Sequence, residues 1–148
     1  MENTVCRTCH IIKPVRSYHC SICDVCVENH DHHCPWVGTC VGKRNYKYFV
    51  SFISATAIFA LLTFLIDVLV IARGYWLYTH YFHFNLPAIL MIFISVGTFF
   101  TMMPFSAYHI YLISKGMGTN ESIRGKYKKF EKNPFNLGCK RNWNRVFC

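Results

Sequence analysis

The chain has 148 residues, of which 53% are hydrophobic and nine are cysteine, and it carries a formal net charge of +9. That length allows one ordinary domain, but the hydrophobic residues crowd into the middle while cysteine and charge gather at the two ends, which excludes a single soluble domain. A strongly basic balance permits nucleic acid, anionic lipid or a polyanionic cofactor as partner, so the position of the charge along the chain has to choose among them.

Residues 6–40 follow the pattern C-x2-C-x9-H-C-x2-C-x2-C-x4-D-H-H-C-x5-C. A secreted disulfide framework is one reading of so many cysteines. Against it, the opening MENTVCRTCH has no apolar h-region, and the C-x-x-C pairs are interleaved with histidines as zinc ligands are. A reducing, cytosolic environment is expected for this segment. Cys6/Cys9 and Cys20/Cys23 are two knuckles, each able to give one tetrahedral ion two thiolates. The further ligands must come from His19, Cys26, His30, His32, His33, Cys34 and Cys40. Two sites of three sulfurs and one nitrogen leave one cysteine of the segment spare. With little apolar core here, metal binding supplies much of the folding energy.

In an extended stretch His32 and Cys34 share one face and His33 turns to the other, and Pro35 keeps Cys34 extended. One face can then carry a thiol beside an imidazole while the other binds metal. Asp31, His32 and Cys34 hold the elements of an orienting carboxylate, a base and a nucleophile, provided that the chain turns just before them. The alternative, with Cys34 as a ligand and a neighbour spare, satisfies the same count.

Residues 48–71 and 86–113 are apolar runs whose only ionisable groups are Asp67 and His109. A bilayer core takes about 20 apolar helical residues to cross, so both are expected to span. Asp67 and His109 lie near span ends, where each is expected to reach the interface. Pro104 lacks an N–H and is expected to kink the second span. The connection between them holds a single cation, Arg73, with Tyr75, Trp76, Tyr78 and Tyr81 suited to the headgroup belt, whereas both ends of the chain are rich in Lys and Arg. The positive-inside rule then places both ends in the cytosol. The expected organisation is a cysteine-rich two-metal domain at 1–47, a transmembrane helix at 48–72, a short exterior loop at 73–85, a second transmembrane helix at 86–113 and a basic cytosolic tail at 114–148. A zinc module tied this closely to membrane spans is badly placed to enter a DNA groove, so nucleic acid is not expected as a partner.

The segment CRTCHIIKPVRSYHCSICDVCVENHDHHCPWVGTCVGKRNYKYF resembles the Asp-His-His-Cys cysteine-rich domain of membrane protein S-acyltransferases (palmitoyltransferases), including Pro35-Trp36. The resemblance implies two structural zinc ions, one on Cys6, Cys9, His19 and Cys26 and the other on Cys20, Cys23, His33 and Cys40. It implies Cys34 as nucleophile, His32 as base and Asp31 as orienting carboxylate. GTNE, residues 118–121, resembles the family's Thr-Thr-x-Glu motif with Gly118 in place of the first threonine; Thr119 is then expected to approach Asp31, and Glu121 to support it. NPFNLGCKRNWNRVFC resembles the family's C-terminal docking motif, in which Asn142 ties the tail back to the membrane helices and Phe147 packs alongside.

The fold implied is a membrane α-helical one, with a cytosolic two-zinc domain of small β-hairpins and loops before two transmembrane helices. It corresponds to the C-terminal part of a four-span family whose acyl cavity is built among all four helices. Trp36, Phe49, Phe52 and Phe59 are expected to form part of that wall, and Lys43, Arg44 and Lys47 to meet either the phosphates of CoA or anionic lipid. The expected activity moves a palmitoyl group from acyl-CoA, through a thioester on Cys34, to a cysteine of a membrane-associated protein. The alternative is a membrane-anchored zinc scaffold without acyl transfer. The bilayer is the expected setting, either an endomembrane such as Golgi or ER or the plasma membrane.

Overall fold

Short turns and paired strands dominate the cysteine-rich segment because the residues between its cysteines are too few to build longer elements. The computed structural model describes residues 5–77, 82–128, 130 and 132–148. Three antiparallel hairpins follow one another: β1 (Val5–Cys6) with β2 (Ile11–Ile12), β3 (Tyr18–Cys20) with β4 (Val25–Val27), and β5 (His32–Cys34) with β6 (Thr39–Val41). Their registers set Cys6 opposite Ile11, Cys20 opposite Val25 and Cys34 opposite Thr39. Each pair is joined by a four-residue turn that ends on a positive φ, at His10 (54°), Asp24 (52°) and Gly38 (69°).

Two long helices follow, α1 (Tyr46–Leu77) and α2 (Phe82–Lys115), then two short ones, α3 (Thr119–Ile123) and α4 (Cys139–Phe147). The chain divides into two units: one comprises the described residues up to Phe49 together with His109–Cys148, the other Val50–Tyr108. In the second unit Val50, Ile53, Ala57 and Ala60 are buried along one face of α1, at the spacing that keeps residues on one side of a helix. Ser54 and Ser106 join α1 to α2 through an Oγ–Oγ hydrogen bond of 2.6 Å, the polar cross-link that membrane helices use. The remaining faces are exposed and apolar, with Phe59, Phe93 and Phe100 each 70% exposed or more. Both helices are long and apolar enough to cross a membrane, over Tyr46–Arg73 and Leu86–Lys115. Both are helical beyond the apolar runs themselves, and α2 is continuous across Pro87 and Pro104. Tyr78 and Tyr81 of the expected exterior loop lie outside the described residues.

In the first unit Val41, Leu112 and Ile113 are fully buried, with Phe49 and Tyr127 nearly so. Asn45 joins the last hairpin to α1: its Oδ1 accepts the Gly42 N–H at 2.8 Å and its Nδ2 donates to the Cys40 carbonyl at 3.0 Å. The end of α2 is closed by Gly116, whose φ of 65° suits a residue without Cβ. The Gly116 and Met117 N–H groups return to the Ile113 and Leu112 carbonyls at 2.9 and 3.0 Å. The next free carbonyls are taken by tail side chains, Ser114 by Asn142 Nδ2 at 3.0 Å and Lys115 by Asn133 Nδ2 at 2.9 Å. The tail is thus fastened to the helix that precedes it, with Asn142 making the tie the docking-motif resemblance implied and Asn133 adding a second. Phe147 stacks on Trp143 of its own helix, 5.2 Å between centroids.

Candidate metal centres and active site

Cys6, Cys9, His19 and Cys26 converge in one cluster, and Cys20, Cys23, His33 and Cys40 in another, with the ligand atoms of each within 4.8 Å of one another. The mechanism of assembly is the same in both. A hairpin turn supplies two cysteines three residues apart, and the following hairpin supplies a histidine and a cysteine paired directly across its strands, His19 opposite Cys26 and His33 opposite Cys40. In the first cluster the sulfurs of Cys6, Cys9 and Cys26 lie 3.6, 3.4 and 3.9 Å from His19 Nδ1. In the second, those of Cys20, Cys23 and Cys40 lie 3.7, 3.3 and 3.7 Å from His33 Nδ1, and Cys40 and Cys23 are 3.6 Å apart. Zinc bonded to thiolate and imidazole at its usual lengths defines a tetrahedron with edges of about 3.5–3.8 Å, so both donor sets fit that ion. His19 Nε2 faces Asp24 Oδ1 at 3.5 Å, the kind of outer contact that fixes which nitrogen is left for a metal.

His33 points into the second cluster, so the alternation of β5 turns His32 and Cys34 to the opposite face. Asp31 joins them because the chain turns at Asn29, which adopts φ 47°, a conformation that asparagine tolerates better than most residues. The Asp31 side chain is 2% exposed. Its Oδ2 lies 2.7 Å from His32 Nδ1, and its Oδ1 accepts the Thr119 backbone N–H at 2.7 Å. A carboxylate only accepts, so the Nδ1 proton stays between the two and Nε2 is the nitrogen free to act as base. Cys34 is 5% exposed.

The electrostatics follow the contacts. The hydrogen bond that His32 donates to Asp31 raises His32 above its ordinary value, more than burial lowers it. Burial pushes Asp31 up, but His32 and Thr119 outweigh it and hold the carboxyl below its ordinary range. Burial also pushes the Cys34 thiol up; the Val37 N–H, the His32 side chain and the Trp36 N–H outweigh it, and the thiol lies below its ordinary value. These are the surroundings of a thiol activated by a neighbouring base.

His109 does not reach the interface as its position in the sequence suggested. It is fully buried, with Nδ1 3.1 Å from the Tyr46 hydroxyl and its ring 5.2 Å from Phe49 and 6.2 Å from His32. Phe49 also meets His32 edge-on at 5.1 Å. The first turn of α1 and the last turns of α2 therefore enclose the base on its apolar side. The ridge that brings His109 inward also buries Leu112 and Ile113.

A second network supports Asp31 from the tail; its Glu121 was expected from the GTNE motif, whereas its Arg16 and Tyr127 were not. Arg16 donates to Glu121 through Nη2 at 2.6 Å and Nε at 2.9 Å, and Tyr127 Oη donates to Glu121 Oε1 at 2.6 Å. Glu121 Oε2 also accepts the Gly118 N–H at 3.1 Å, one residue before the N–H that holds Asp31. The Arg16 guanidinium lies over the Phe135 ring, 4.9 Å from its centroid. A Cβ at Gly118 would stand 3.2 Å from Asp31 Oδ1, so the glycine at this position lets α3 approach the carboxylate closely. Arg16 and Glu121 are 105 residues apart, and only a search for oppositely charged partners of the GTNE glutamate would have raised the pair.

The residues expected to meet acyl-CoA are less concentrated. Phe49 is buried beside His32, whereas Trp36, Phe52 and Phe59 are 97%, 63% and 70% exposed. Phe52 and Phe59 belong to the second unit. Of the basic residues, Lys43 pairs with Glu28 at 2.6 Å and Lys47 lies over the Tyr48 ring, 5.3 Å from its centroid; Arg44 is exposed.

A family model described as DHHC palmitoyltransferase matches residues 1–126. Among similar proteins, palmitoyltransferase ZDHHC8 of Homo sapiens is 39% identical over 147 residues, which cover 97% of this chain and 18% of that protein. Palmitoyltransferase ZDHHC8B of Danio rerio is 36% identical over 144 residues, 97% of this chain and 19% of its own. Protein S-acyltransferase 8 of Arabidopsis thaliana is 36% identical over 148 residues, 97% of this chain and 36% of its own. The chain thus spans between 18% and 36% of the length of these relatives.

Proposed function

The chain belongs to the DHHC palmitoyltransferase family, and from that premise we propose that it transfers a long-chain acyl group from acyl-CoA to a cysteine of a membrane-associated protein through a thioester on Cys34. The observation that carries this reading is the division of labour on β5: His33 joins a four-ligand cluster while Cys34 and His32 face the other way, with His32 held by a buried Asp31.

In the first step His32 Nε2 takes the Cys34 proton, and the thiolate attacks the carbonyl carbon of the acyl-CoA thioester. The new carbon–sulfur bond forms as the bond to the CoA sulfur breaks, and that sulfur leaves with the proton from His32. In the second step His32 takes the proton of the acceptor cysteine, whose sulfur attacks the acyl-Cys34 carbonyl; Cys34 leaves and regains its proton. Exchanging one thioester for another is nearly balanced, so proximity and a positioned base serve it more than a strong driving force. Asp31 keeps the Nδ1 proton of His32 in place through both steps. The Val37 and Trp36 N–H groups and the imidazolium favour negative charge on Cys34 each time it is the attacking or leaving group.

Zinc is the ion we assign to both clusters, on the three-sulfur, one-nitrogen donor sets and their edge lengths. Its contribution is structural: it holds three hairpins that have almost no apolar core of their own. Lys43 and Arg44 just precede α1 and Lys47 lies in its first turn, where they can meet the phosphates of CoA, or anionic lipid at about 1 kcal/mol each. Both ends of the chain are cytosolic in this reading, in an endomembrane or the plasma membrane, which lets the acyl chain stay in hydrocarbon while its thioester reaches Cys34.

The test is incubation of the purified chain with palmitoyl-CoA, wild type beside Cys34→Ser, with zinc measured on both. The expected result is hydroxylamine-labile label on the wild type alone and equal zinc on the two. Label that persists in Cys34→Ser would contradict the assignment of the nucleophile.

A further inference from the structure

The three hairpins are copies of one unit. Cys6, Cys20 and Cys34 follow one another at intervals of 14 residues. Each ends the first strand of its hairpin and pairs with the residue five positions on. Each is followed four residues later by a left-handed backbone, at His10, Asp24 and Gly38. The histidines that precede the second and third of these cysteines, His19 and His33, keep the same interval, as do Cys26 and Cys40. The first copy holds Val5 and Ile12 at those two positions, and the third departs from the other two at one more. Three residues after the first cysteine, the first two hairpins place a second thiol, Cys9 and Cys23, and the third places Val37.

We propose that the hairpin bearing the nucleophile is a third metal knuckle kept empty by one side chain, and that Val37 is the residue that separates acyl transfer from metal binding there. The proposal rests on the reading of Cys34 as nucleophile. Where the second thiol is present, the two sulfurs of the turn converge in one cluster, within 4.8 Å of each other. A thiol at position 37 would stand in the same relation to Cys34, because strand register, turn length and backbone sign are shared. His32, on the same face of β5 as Cys34, would then be a third donor, and two sulfurs with one imidazole make a zinc site with an open position. With Val37 the hairpin offers only one sulfur, so Cys34 keeps its turn geometry without an ion to occupy it. Trp36 and Val37, which precede the glycine of the turn, are 97% and 49% exposed, so exchanging Val37 for another small residue leaves no buried hole.

The experiment uses the full chain in detergent, equilibrated with buffered free zinc, with zinc per chain measured together with hydroxylamine-labile labelling by palmitoyl-CoA. Wild type, Val37→Ser, Val37→Cys and the double variant Val37→Cys with Cys34→Ser are compared. Val37→Cys is expected to bind one more ion per chain than wild type and to lose labelling about tenfold in zinc. Val37→Ser and the double variant are expected to bind no extra ion, which assigns the added site to the 34/37 pair. Should Val37→Cys lose either structural ion, Val37→His carries the same expectation with an imidazole donor. Zinc content equal to wild type in the intact Val37→Cys or Val37→His chain, with labelling indifferent to zinc, overturns the proposal. A wild type that takes no label defeats the acyl-transfer reading instead, whereas the zinc count still decides whether the third hairpin is a knuckle.

Discussion

Replacing Arg16 by glutamine removes one partner of the pair that fastens α3 beneath Asp31. Arg16 and Glu121 side chains are 12% and 3% exposed, and the guanidinium makes two bonds to the carboxylate, at 2.6 and 2.9 Å. Breaking a buried ion pair from one side costs about 3–5 kcal/mol, because the charge left behind is unpaired. Here Glu121 keeps two donors, the Tyr127 hydroxyl at 2.6 Å and the Gly118 N–H at 3.1 Å. The expected loss therefore falls to about 2–3 kcal/mol. Thermal unfolding of the chain in detergent, followed by intrinsic fluorescence, should show a midpoint lower by roughly 5–15 °C, with zinc content unchanged. Arg16→Lys keeps the charge but not the fork, and should fall between the two. An Arg16→Gln midpoint within about 2 °C of wild type, with zinc retained, would mean that the pair behaves as an exposed one and does not hold α3 in place.

Other outcomes follow from the same contacts. Asn142 is 2% exposed and makes three hydrogen bonds, to the Ser114 carbonyl, to Asn136 Oδ1 and from the Leu137 N–H; Asn142→Ala should destabilise by about 2–3 kcal/mol and make the bonds after Lys140 and Arg141 the first sites of limited trypsin cleavage. Burial pushes the Glu121 carboxyl up, but Arg16, Tyr127 and the Gly118 N–H outweigh it and hold it below its ordinary 4.5. A depressed carboxylate contributes stability above its ordinary value and loses it as pH falls through the folded value. The gap in melting temperature between wild type and Glu121→Gln should accordingly be widest near neutrality and close below about pH 4.5, and a gap independent of pH would contradict the ion pair. Chelation should release the hairpins and leave the long helices: amide exchange over residues 5–41 becomes fast while the helical far-ultraviolet signal persists, and a protected hairpin region without metal would contradict the structural role.

Most of the site was legible because its chemistry lies in short-range spacing. The alternation that turns His32 and Cys34 away from His33 follows from a strand of three residues, β5. Which histidine joins a thiol cluster did not follow from counting alone; the pairing of His33 with Cys40 across the hairpin places it there. The position of Asp31 depends on the backbone of Asn29, φ 47°, which no side-chain pattern announces. The two long helices were visible as apolar runs, but their ends were not, since helix continues past the apolar residues wherever backbone bonds can be completed. His109 looked peripheral because its distance from the span end said nothing of which way its face points. Contacts between the cysteine-rich segment and the tail, such as Arg16 with Glu121 and Thr119 with Asp31, join residues 105 and 88 apart. Without the resemblance of GTNE to a known motif they would have had no signal. The 14-residue interval of the hairpins was present in the sequence and is masked by Val5 and Ile12 in the first copy and by Val37 in the third.

If Cys34 carries the acyl group between donor and acceptor, as proposed, it must be acylated before the acceptor is. The most direct test is rapid-quench incubation of the zinc-loaded chain with palmitoyl-CoA, followed by peptide mapping by mass and a chase with a cysteine-containing acceptor peptide. A palmitoyl mass is expected on the peptide containing Cys34 before it appears on the acceptor, with its decay as the acceptor gains it. Acylation of the acceptor with Cys34 unmodified throughout, or acyl mass confined to Cys139 and Cys148, would rule Cys34 out as the carrier.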